Sequence, residues 1–354
     1  MSSFPTSPAR RPGLLERLAS GPVICAEGYL FELERRGYLQ AGAFVPEVVL
    51  EHPERVTALH EEFVYAGSDV VEAFTYYAHR EKLRLIGKAD LLEPLNRQAL
   101  ELAAMVASAT GTLLAGDVCN TNVFDPADQG THERVRGMFE EQVGWAAEAG
   151  VDYVVGETFR YLAEAMIALD VIRRSGMPSV ITLAVHRDEE TRDGVALPEA
   201  MRRLAGAGAD VVGFNCARGP VTMLPLVERA IGAVDVPFAA LPVPYRTVPQ
   251  QPNFQSLHDA AYPQPPSGRA FPTALDPFTC NRYEIADFAA KAHAAGVRYF
   301  GLCCGAAPHH VRSMAEALGR RPPASRYTED MSRHVYFGTD ATLAKHNLEY
   351  GRSL

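Results

Sequence analysis

A short motif, Ala-Gly followed by any residue and then Asp or Arg, occurs four times along this chain of 354 residues, and each copy stands just before an apolar run. A glycine that follows a helix commonly ends it in the left-handed conformation, so each copy indicates a turn from a helix into a strand. The copies precede the second, fourth, sixth and eighth of eight such runs. They are Ala66-Gly67-Ser68-Asp69, Ala149-Gly150-Val151-Asp152, Ala207-Gly208-Ala209-Asp210 and Ala295-Gly296-Val297-Arg298.

The eight runs are rich in β-branched and aromatic residues, which is typical of buried strands. Segments with helical spacing separate them; within residues 133–149, one face carries Val135, Phe139 and Val143. This alternation predicts an α/β protein, a (β/α)8 TIM barrel whose interior layers come from alternate strands. A doubly wound sheet is the competing fold, but no glycine-rich phosphate loop follows the first run. The runs cover residues 23–25, 70–77, 112–118, 153–159, 180–185, 211–216, 238–245 and 299–304.

Three segments are predicted from the sequence. Residues 1–13 contain Ser, Pro and an Arg pair but no apolar core, which indicates a flexible leader rather than a secretory signal. Residues 14–319 form the barrel, and a polar, proline-rich stretch at 246–269 is interpreted as a long loop over its mouth. Residues 320–354 form a C-terminal extension, expected on the barrel or at a subunit interface of a homo-oligomer.

Composition excludes several classes of partner. The net charge of −9 has no compensating basic stripe, so nucleic acid and anionic membranes are not expected partners. The longest apolar stretch falls short of the ~20 residues that span a bilayer. Six cysteines without a signal peptide indicate a reducing, cytoplasmic location. Three of them, Cys25, Cys119 and Cys280, are interpreted as small buried apolar residues.

The other three cysteines stand at the ends of the sixth and eighth runs, as Cys216 and the adjacent pair Cys303-Cys304. Strand ends of a barrel meet on one face, so the three thiols are expected to converge there. Three thiols suit a tetrahedral Zn²⁺, and an open fourth position is typical of a catalytic zinc site. The alternatives are core cysteines and a vicinal disulfide. Gly305 allows the chain to break so that both neighbours face one metal.

The ligand type favours one kind of reaction. Three thiolates leave a Zn²⁺ site with a formal charge of −1, which is poor at making hydroxide but lowers the pKa of an incoming thiol. Alkyl transfer to that sulfur is therefore the expected chemistry. Glu157 and Tyr77 stand at the ends of the fourth and second runs, so they are predicted to join the cysteines on the same face.

From about residue 23 to residue 353 the chain resembles the homocysteine S-methyltransferase family, most closely its betaine–homocysteine branch. The resemblance implies a zinc-dependent barrel that binds homocysteine sulfur at the open zinc position and transfers a methyl group from a small onium donor, without an organic cofactor. It is carried by Phe31-Glu32-Leu33-Glu34-Arg35-Arg36-Gly37-Tyr38, Glu51-His52-Pro53-Glu54, Phe74-Thr75-Tyr76-Tyr77-Ala78, Gly213-Phe214-Asn215-Cys216 and the segment from Gly296 through Cys303-Cys304-Gly305.

The resemblance also assigns roles on the acceptor side. Glu157 occupies the position that binds the homocysteine ammonium. The family's Asp-Gly-Gly after the first strand is Ala26-Glu27-Gly28 here, so Glu27 is the candidate to replace the missing aspartate, and Gly28 is counted with it as substrate-binding. This departure leaves open whether the acceptor is homocysteine itself. Asn215, beside a metal ligand, is expected either to orient the substrate carboxylate or to hydrogen bond within a buried turn.

On the donor side, Tyr77 matches a tyrosine that faces donor and zinc, and is counted with the cysteines as catalytic. Phe44 stands where the betaine branch has a tryptophan, and Thr158 where it has an aromatic residue. A cage of Phe44, Tyr77, Tyr76 and Phe159 is therefore expected to be altered, with a weaker cation–π contact. The donor is expected to be a betaine-type onium compound, with a sulfonium of the S-methylmethionine type as the alternative.

Two further hypotheses remain. A methylcorrinoid-dependent transfer would use the same zinc half but needs a cobalamin domain or partner. A non-enzymatic zinc-thiolate or redox-sensing protein would keep the cysteines while the substrate site decays. Assays with homocysteine, with and without methylcobalamin, separate these three.

Overall fold

Eight parallel strands close into a barrel in sequential order, from β1 to β8, and β8 pairs with β1. The computed structural model describes residues 11–259, 261 and 268–354, so most of the predicted leader and part of the predicted loop at 246–269 lie outside the described residues. The predicted (β/α)8 barrel is confirmed. The strands are β1 (Val23–Ala26), β2 (Val70–Glu72), β3 (Leu113–Cys119), β4 (Tyr153–Phe159), β5 (Ser179–Leu183), β6 (Val211–Asn215), β7 (Phe238–Leu241) and β8 (Tyr299–Leu302).

Helices follow the strands around the outside. They are α1 (Leu14–Ser20), α2 (Tyr29–Arg35), α3 (Val48–Glu51), α4 (Pro53–Ala66), α5 (Arg80–Leu85), α6 (Leu92–Thr110), α7 (Gln129–Ala149), α8 (Leu162–Arg174), α9 (Leu197–Gly206), α10 (Pro220–Ala230), α11 (Arg282–Ala294), α12 (Pro308–Ala317) and α13 (Lys345–Gly351). None of the described helices has the length and apolar character needed to cross a membrane.

The glycines of the recurring motif end their helices as predicted. Gly67, Gly150, Gly208 and Gly296 all have positive φ, between 71° and 119°. A Cβ would be strained in this left-handed conformation, which explains why glycine stands there.

Alternate residues of each strand point into the barrel. Val23, Val155 and Leu241 belong to the inner cluster, which α1 closes at the bottom with Leu14 and Leu18. Their neighbours in sequence, such as Ile24 and Val154, pack outward against the helices. This alternation decides which polar residues near the strand ends face inward.

Five strands end earlier than the apolar runs predict, among them β2, β7 and β8. β2 ends at Glu72, β7 at Leu241 and β8 at Leu302. Beyond each of these strand ends the apolar run continues as a loop, because the chain must leave the barrel. Tyr77 lies in one of these loops and has a φ of 61°. Tyr77, Cys303 and Cys304 therefore lie in loops beyond strand ends, and not within strands.

The extension begins at Arg320, whose guanidinium pairs with Asp69 on the barrel. Further on, Glu329 pairs with Arg282 at the start of α11. Beyond that contact several large apolar side chains are exposed, namely Met331, Val335, Tyr336, Phe337, Tyr350 and Leu354.

Candidate active site

The three predicted thiols come together at the C-terminal end of the barrel. Cys216 directly follows β6, and Cys303 and Cys304 directly follow β8. The Sγ atoms of Cys216 and Cys304 are 4.0 Å apart, and those of Cys303 and Cys304 are 3.8 Å apart. Four sulfurs at ~2.3 Å from a tetrahedral Zn²⁺ lie about 3.8 Å from one another, so these thiols fit that ion. The same separation rules out a vicinal disulfide, whose sulfurs are ~2.05 Å apart.

The thiols interact strongly before any metal is considered. Hydrogen bonds from Cys303 and Cys304 hold the pKa of Cys216 well below its usual value. The pKa values of Cys303 and Cys304 are raised, first of all by their hydrogen bonds to Cys216. The cluster thus favours a single negative charge, and a divalent cation would be needed to hold all three cysteines as thiolates.

Four carboxylates line a small cavity below the thiols, and we call this set the acidic chamber: Glu27, Glu72, Asp117 and Glu157. Oxygens of Glu72, Asp117 and Glu157 lie within 4.8 Å of one another, and so do ligand atoms of Glu27, Glu157 and Cys303. The strand alternation explains the chamber, because Asp117 and Glu157 continue the inward rows of β3 and β4. Burial and mutual repulsion raise the pKa of Glu27, Asp117 and Glu157 well above the usual range.

Some oxygens of the acidic chamber have no partner. Both carboxylate oxygens of Glu27 and the Oδ1 atom of Asp117 are buried without a hydrogen bond within the described residues. Asp117 is only 4% exposed. Buried unpaired acceptors are costly, so the chamber is suited to a cationic group that enters it.

Glu157 is held by two neighbours through one oxygen. The Thr158 hydroxyl donates to Oε2 over 2.9 Å, and the Asn215 amide nitrogen donates to the same atom. The Asn215 carbonyl in turn accepts from the Thr158 backbone N–H over 2.9 Å. Asn215 therefore orients Glu157 through a buried hydrogen-bond network between β6 and β4, and its predicted contact with the substrate carboxylate stays a prediction.

Glu72 gives the acidic chamber a measurable effect on stability. Burial raises its pKa to about 8. Between the unfolded value of about 4.5 and this folded value the native state binds more protons, so stability falls as pH rises through this window. We expect Glu72→Gln to raise the free energy of unfolding at pH 9 by about 2–4 kcal/mol, with little change at pH 5.

Urea denaturation of the zinc-saturated protein at both pH values measures this difference. Glu199→Gln, at an exposed site on α9, is the matched control and should change stability by less than about 0.5 kcal/mol at either pH. A parallel loss of stability in wild type and Glu72→Gln from pH 5 to pH 9 would contradict the prediction.

An aromatic pocket of about 140 Å³ opens on the outer side of the thiols. Phe44, Tyr76, Tyr77 and Thr158 line it together with Cys216 and Cys304, so the structure brings together the predicted donor-side residues. The rings of Tyr76 and Tyr77 are 4.2 Å apart, and the Lys82 ammonium lies 3.9 Å from the Tyr77 ring centroid. Other residues that line this pocket are not predicted as site residues from the sequence, among them Phe31, Arg160, His186, Phe254, Gln255 and Phe271.

Phe159 does not belong to the aromatic pocket, so its place in the cage was wrong. The pairing of β4 with β5 is irregular between Gly156 and Phe159, and Thr158 has a φ of 60°. This irregularity turns Thr158 toward the pocket and Phe159 outward, where its ring packs 5.9 Å from that of Phe139 on α7.

Gly28 serves close packing in the structure. A Cβ at this position would lie 2.5 Å from the Cβ of Ala306, in the loop that follows the paired cysteines. The absence of a side chain thus lets α2 begin directly against that loop. Cys25, Cys119 and Cys280 are buried and unpaired, as predicted.

The chain is similar to known proteins over most of its length. A homocysteine S-methyltransferase family profile matches residues 25–318. The S-methylmethionine–homocysteine S-methyltransferase of Mus musculus is 34% identical over 89% of this chain and 85% of its own length. The betaine–homocysteine S-methyltransferase 1 of Danio rerio is 36% identical over 89% of this chain and 78% of its own.

A solved structure confirms the fold. The homocysteine methyltransferase MmuM from Escherichia coli, in its metallated form, superposes with a TM-score of 0.65 and 19% identity, over 84% of this chain and 96% of that one. The family profile covers most of the chain, and both curated relatives exceed 30% identity over most of their length. The chain therefore belongs to the homocysteine S-methyltransferase family.

Proposed function

We propose that this protein is a zinc-dependent enzyme that moves a methyl group from a betaine-type onium donor to the thiol of homocysteine, giving methionine. Methyl transfer to homocysteine is supported by family membership. One observation carries the rest: Cys304 lines both the acidic chamber and the aromatic pocket. A sulfur held beside Cys304 would therefore face an ammonium site on one side and an onium site on the other.

Different residues of the protein would bind the metal ion and the acceptor substrate. When bound, Zn²⁺ supplies charge that keeps the acceptor sulfur deprotonated at neutral pH. Cys216, Cys303 and Cys304 would hold the ion, and Glu157, with Glu27 beside it, would bind the acceptor ammonium. Asn215 and Thr158 fix the direction of the Glu157 carboxylate.

The methyl transfer itself needs positioning more than acid–base chemistry. The thiol proton leaves to solvent, the sulfur attacks the methyl carbon, and the carbon–nitrogen bond breaks with its electron pair left on nitrogen. Tyr77 and Phe44 would hold the onium methyl groups against aromatic faces while the aromatic pocket excludes water. Fixing both substrates at contact distance supplies much of the acceleration.

Methionine formation from homocysteine tests the function directly. Purified protein is assayed for zinc content and then with glycine betaine, S-methylmethionine and carnitine as donors, with and without methylcobalamin. We expect about one Zn²⁺ per chain and methionine from at least one onium donor alone. Zinc without methionine from any donor would favour the zinc-binding or redox-sensing alternative.

A sulfonium donor is the second candidate, and the composition of the aromatic pocket favours it. Phe44 and Thr158 line the pocket at positions where the betaine branch is expected to carry larger aromatic residues, so less aromatic surface is expected to face the donor. One of the curated relatives also uses S-methylmethionine by name.

The double variant Phe44→Trp with Thr158→Tyr should shift preference toward glycine betaine, because it deepens the aromatic face and narrows the aromatic pocket. The measurement is the ratio of kcat/KM for glycine betaine to that for S-methylmethionine, in wild type and variant. We expect this ratio to rise about 5- to 30-fold, the effect of roughly 1–2 kcal/mol from stronger cation–π contact. An unchanged ratio would place donor selection elsewhere, in the loop at 246–269.

We propose two further properties of the chain as a whole. All six cysteines are unpaired, which supports a reducing compartment such as the cytoplasm. The exposed apolar residues after Glu329, among them Phe337 at 58% exposure, support a subunit interface formed by residues 320–354.

A further inference from the structure

Arg160 lies in the wall between the aromatic pocket and a larger outer cavity. It follows the last residue of β4 and lines both spaces, as do Ala184 and His186. The outer cavity has a volume of about 400 Å³, against about 140 Å³ for the aromatic pocket. A molecule in the aromatic pocket can therefore extend past Arg160 into the outer cavity.

The guanidinium of Arg160 has amide partners rather than an acid. Its Nη2 atom donates to Asn120 Oδ1 over 3.1 Å and to Asn122 Oδ1. Of the ion pairs found within the described residues, none involves Arg160. A guanidinium offers five N–H donors, so several remain for a ligand at a half-buried position where an unpaired charge is costly.

Guanidinium groups outnumber carboxylates in the outer cavity, and burial lowers the pKa of His186, so its ring adds no charge at neutral pH. Arg187 and Arg192 line the outer cavity with His186, and the Arg192 guanidinium lies 5.5 Å from the Tyr161 ring centroid. Asp188 and Glu190 also line it, so three guanidinium groups, with that of Arg160, stand against two carboxylates. Cys216 and Cys304, which border the acidic chamber, line the aromatic pocket together with Arg160.

A pocket lined by both the thiols and a guanidinium matches a zwitterion. Its cationic onium end would face the thiols, where the transfer takes place, and its anionic end would reach the guanidinium. We propose that Arg160 binds the carboxylate of the methyl donor and so selects onium carboxylates over onium compounds without an anion. This inference rests on the proposed function, since it concerns the donor of that reaction.

Arg160 acts here as a specificity-determining residue, away from the reacting atoms. A planar guanidinium suits bidentate binding of a carboxylate, which orients the donor as well as attracting it. Because the outer cavity is open, we expect it also to accept donors whose spacer between the onium group and the carboxylate is longer than that of glycine betaine.

Two donors that differ only in charge test the inference. Glycine betaine and betaine amide carry the same trimethylammonium group, but the amide lacks the carboxylate. In wild type we expect kcat/KM to be higher for glycine betaine. In Arg160→Gln we expect kcat/KM for glycine betaine to fall about 10- to 100-fold, mostly through KM, and that for betaine amide to change less than about 3-fold. Arg160→Lys should recover part of the loss.

Controls separate this effect from damage to the site. Zinc content and homocysteine affinity of Arg160→Gln should equal those of wild type, because neither contact involves Arg160. Arg202→Gln, at an exposed ion pair on α9, should change neither donor. Equal losses for both donors, or no loss for glycine betaine, would overturn the inference and leave the proposed function standing.

Failure of the proposed function gives a different result. If wild type forms methionine from no donor, calorimetry on the homocysteine complex still measures binding of glycine betaine and betaine amide. Tighter binding of glycine betaine that is lost in Arg160→Gln supports the inference, and equal binding of the two compounds to wild type overturns it.

Discussion

Replacing any one of Cys216, Cys303 or Cys304 with Ala should reduce methionine formation to the assay background and remove most of the bound zinc. The reason is geometric. The three sulfurs already stand at the separation that a tetrahedral ion requires, with neighbours 3.8 Å and 4.0 Å apart, and two thiolates do not complete a catalytic site. Metal content by plasma emission spectrometry and methionine by mass spectrometry give independent readouts.

Cys280→Ala is the matched control for this series. Cys280 is buried like Cys216 and Cys303, at 3% exposure, but its hydrogen bonds within the described residues are made through its backbone. Its loss should leave metal content and activity near wild type. Full activity in a metal-free Cys304→Ala protein would contradict the zinc assignment, and so would an equal loss in the control.

Glu157→Gln should weaken homocysteine binding by about 1–3 kcal/mol, the usual cost of losing a charge-assisted hydrogen bond. Gln keeps an acceptor oxygen for Thr158 and Asn215, so the network that positions the side chain survives while its charge disappears. Calorimetric titration of the zinc-loaded protein with homocysteine measures the change, and zinc content should stay constant.

Glu164→Gln provides a matched buried carboxylate outside the acidic chamber. Its oxygen accepts from the backbone and hydroxyl of Thr121, so it should leave homocysteine affinity unchanged. If Glu157→Gln also leaves that affinity unchanged, Glu157 does not bind the acceptor ammonium, and the acceptor is a thiol of another class.

Repetition made the fold predictable from the sequence. Eight apolar runs and the glycine turns before every second run correspond to the eight strands of the closed barrel. Placing Cys216 and the Cys303-Cys304 pair on one face needed only the rule that parallel strands end together, and their convergence is confirmed.

The remaining parts of the site depend on geometry that a one-dimensional pattern does not carry. Glu72 is not predicted as a site residue because it lies within an apolar run. It stands two residues after the inward-facing Val70, so strand alternation places it inward as well. The exchange of directions between Thr158 and Phe159 arises from a single irregular register in β4. The role proposed for Arg160 depends on its position between two cavities. These cavities are lined by residues that are far apart in the sequence.

The backbone at the mouth carries a consequence for protein engineering. In the described part of the chain, six residues other than glycine have positive φ, and five of them line the aromatic pocket. Each left-handed residue of this kind costs on the order of 1–3 kcal/mol, so the mouth is the least relaxed part of a well-packed barrel. Variants selected for heat resistance alone would gain most by relaxing these positions toward glycine, and would lose the side chains that shape the donor site. A directed-evolution campaign on this scaffold therefore needs a turnover screen in every round. The six residues are Phe44, Tyr77, Asn122, Thr158, Cys216 and Ala217.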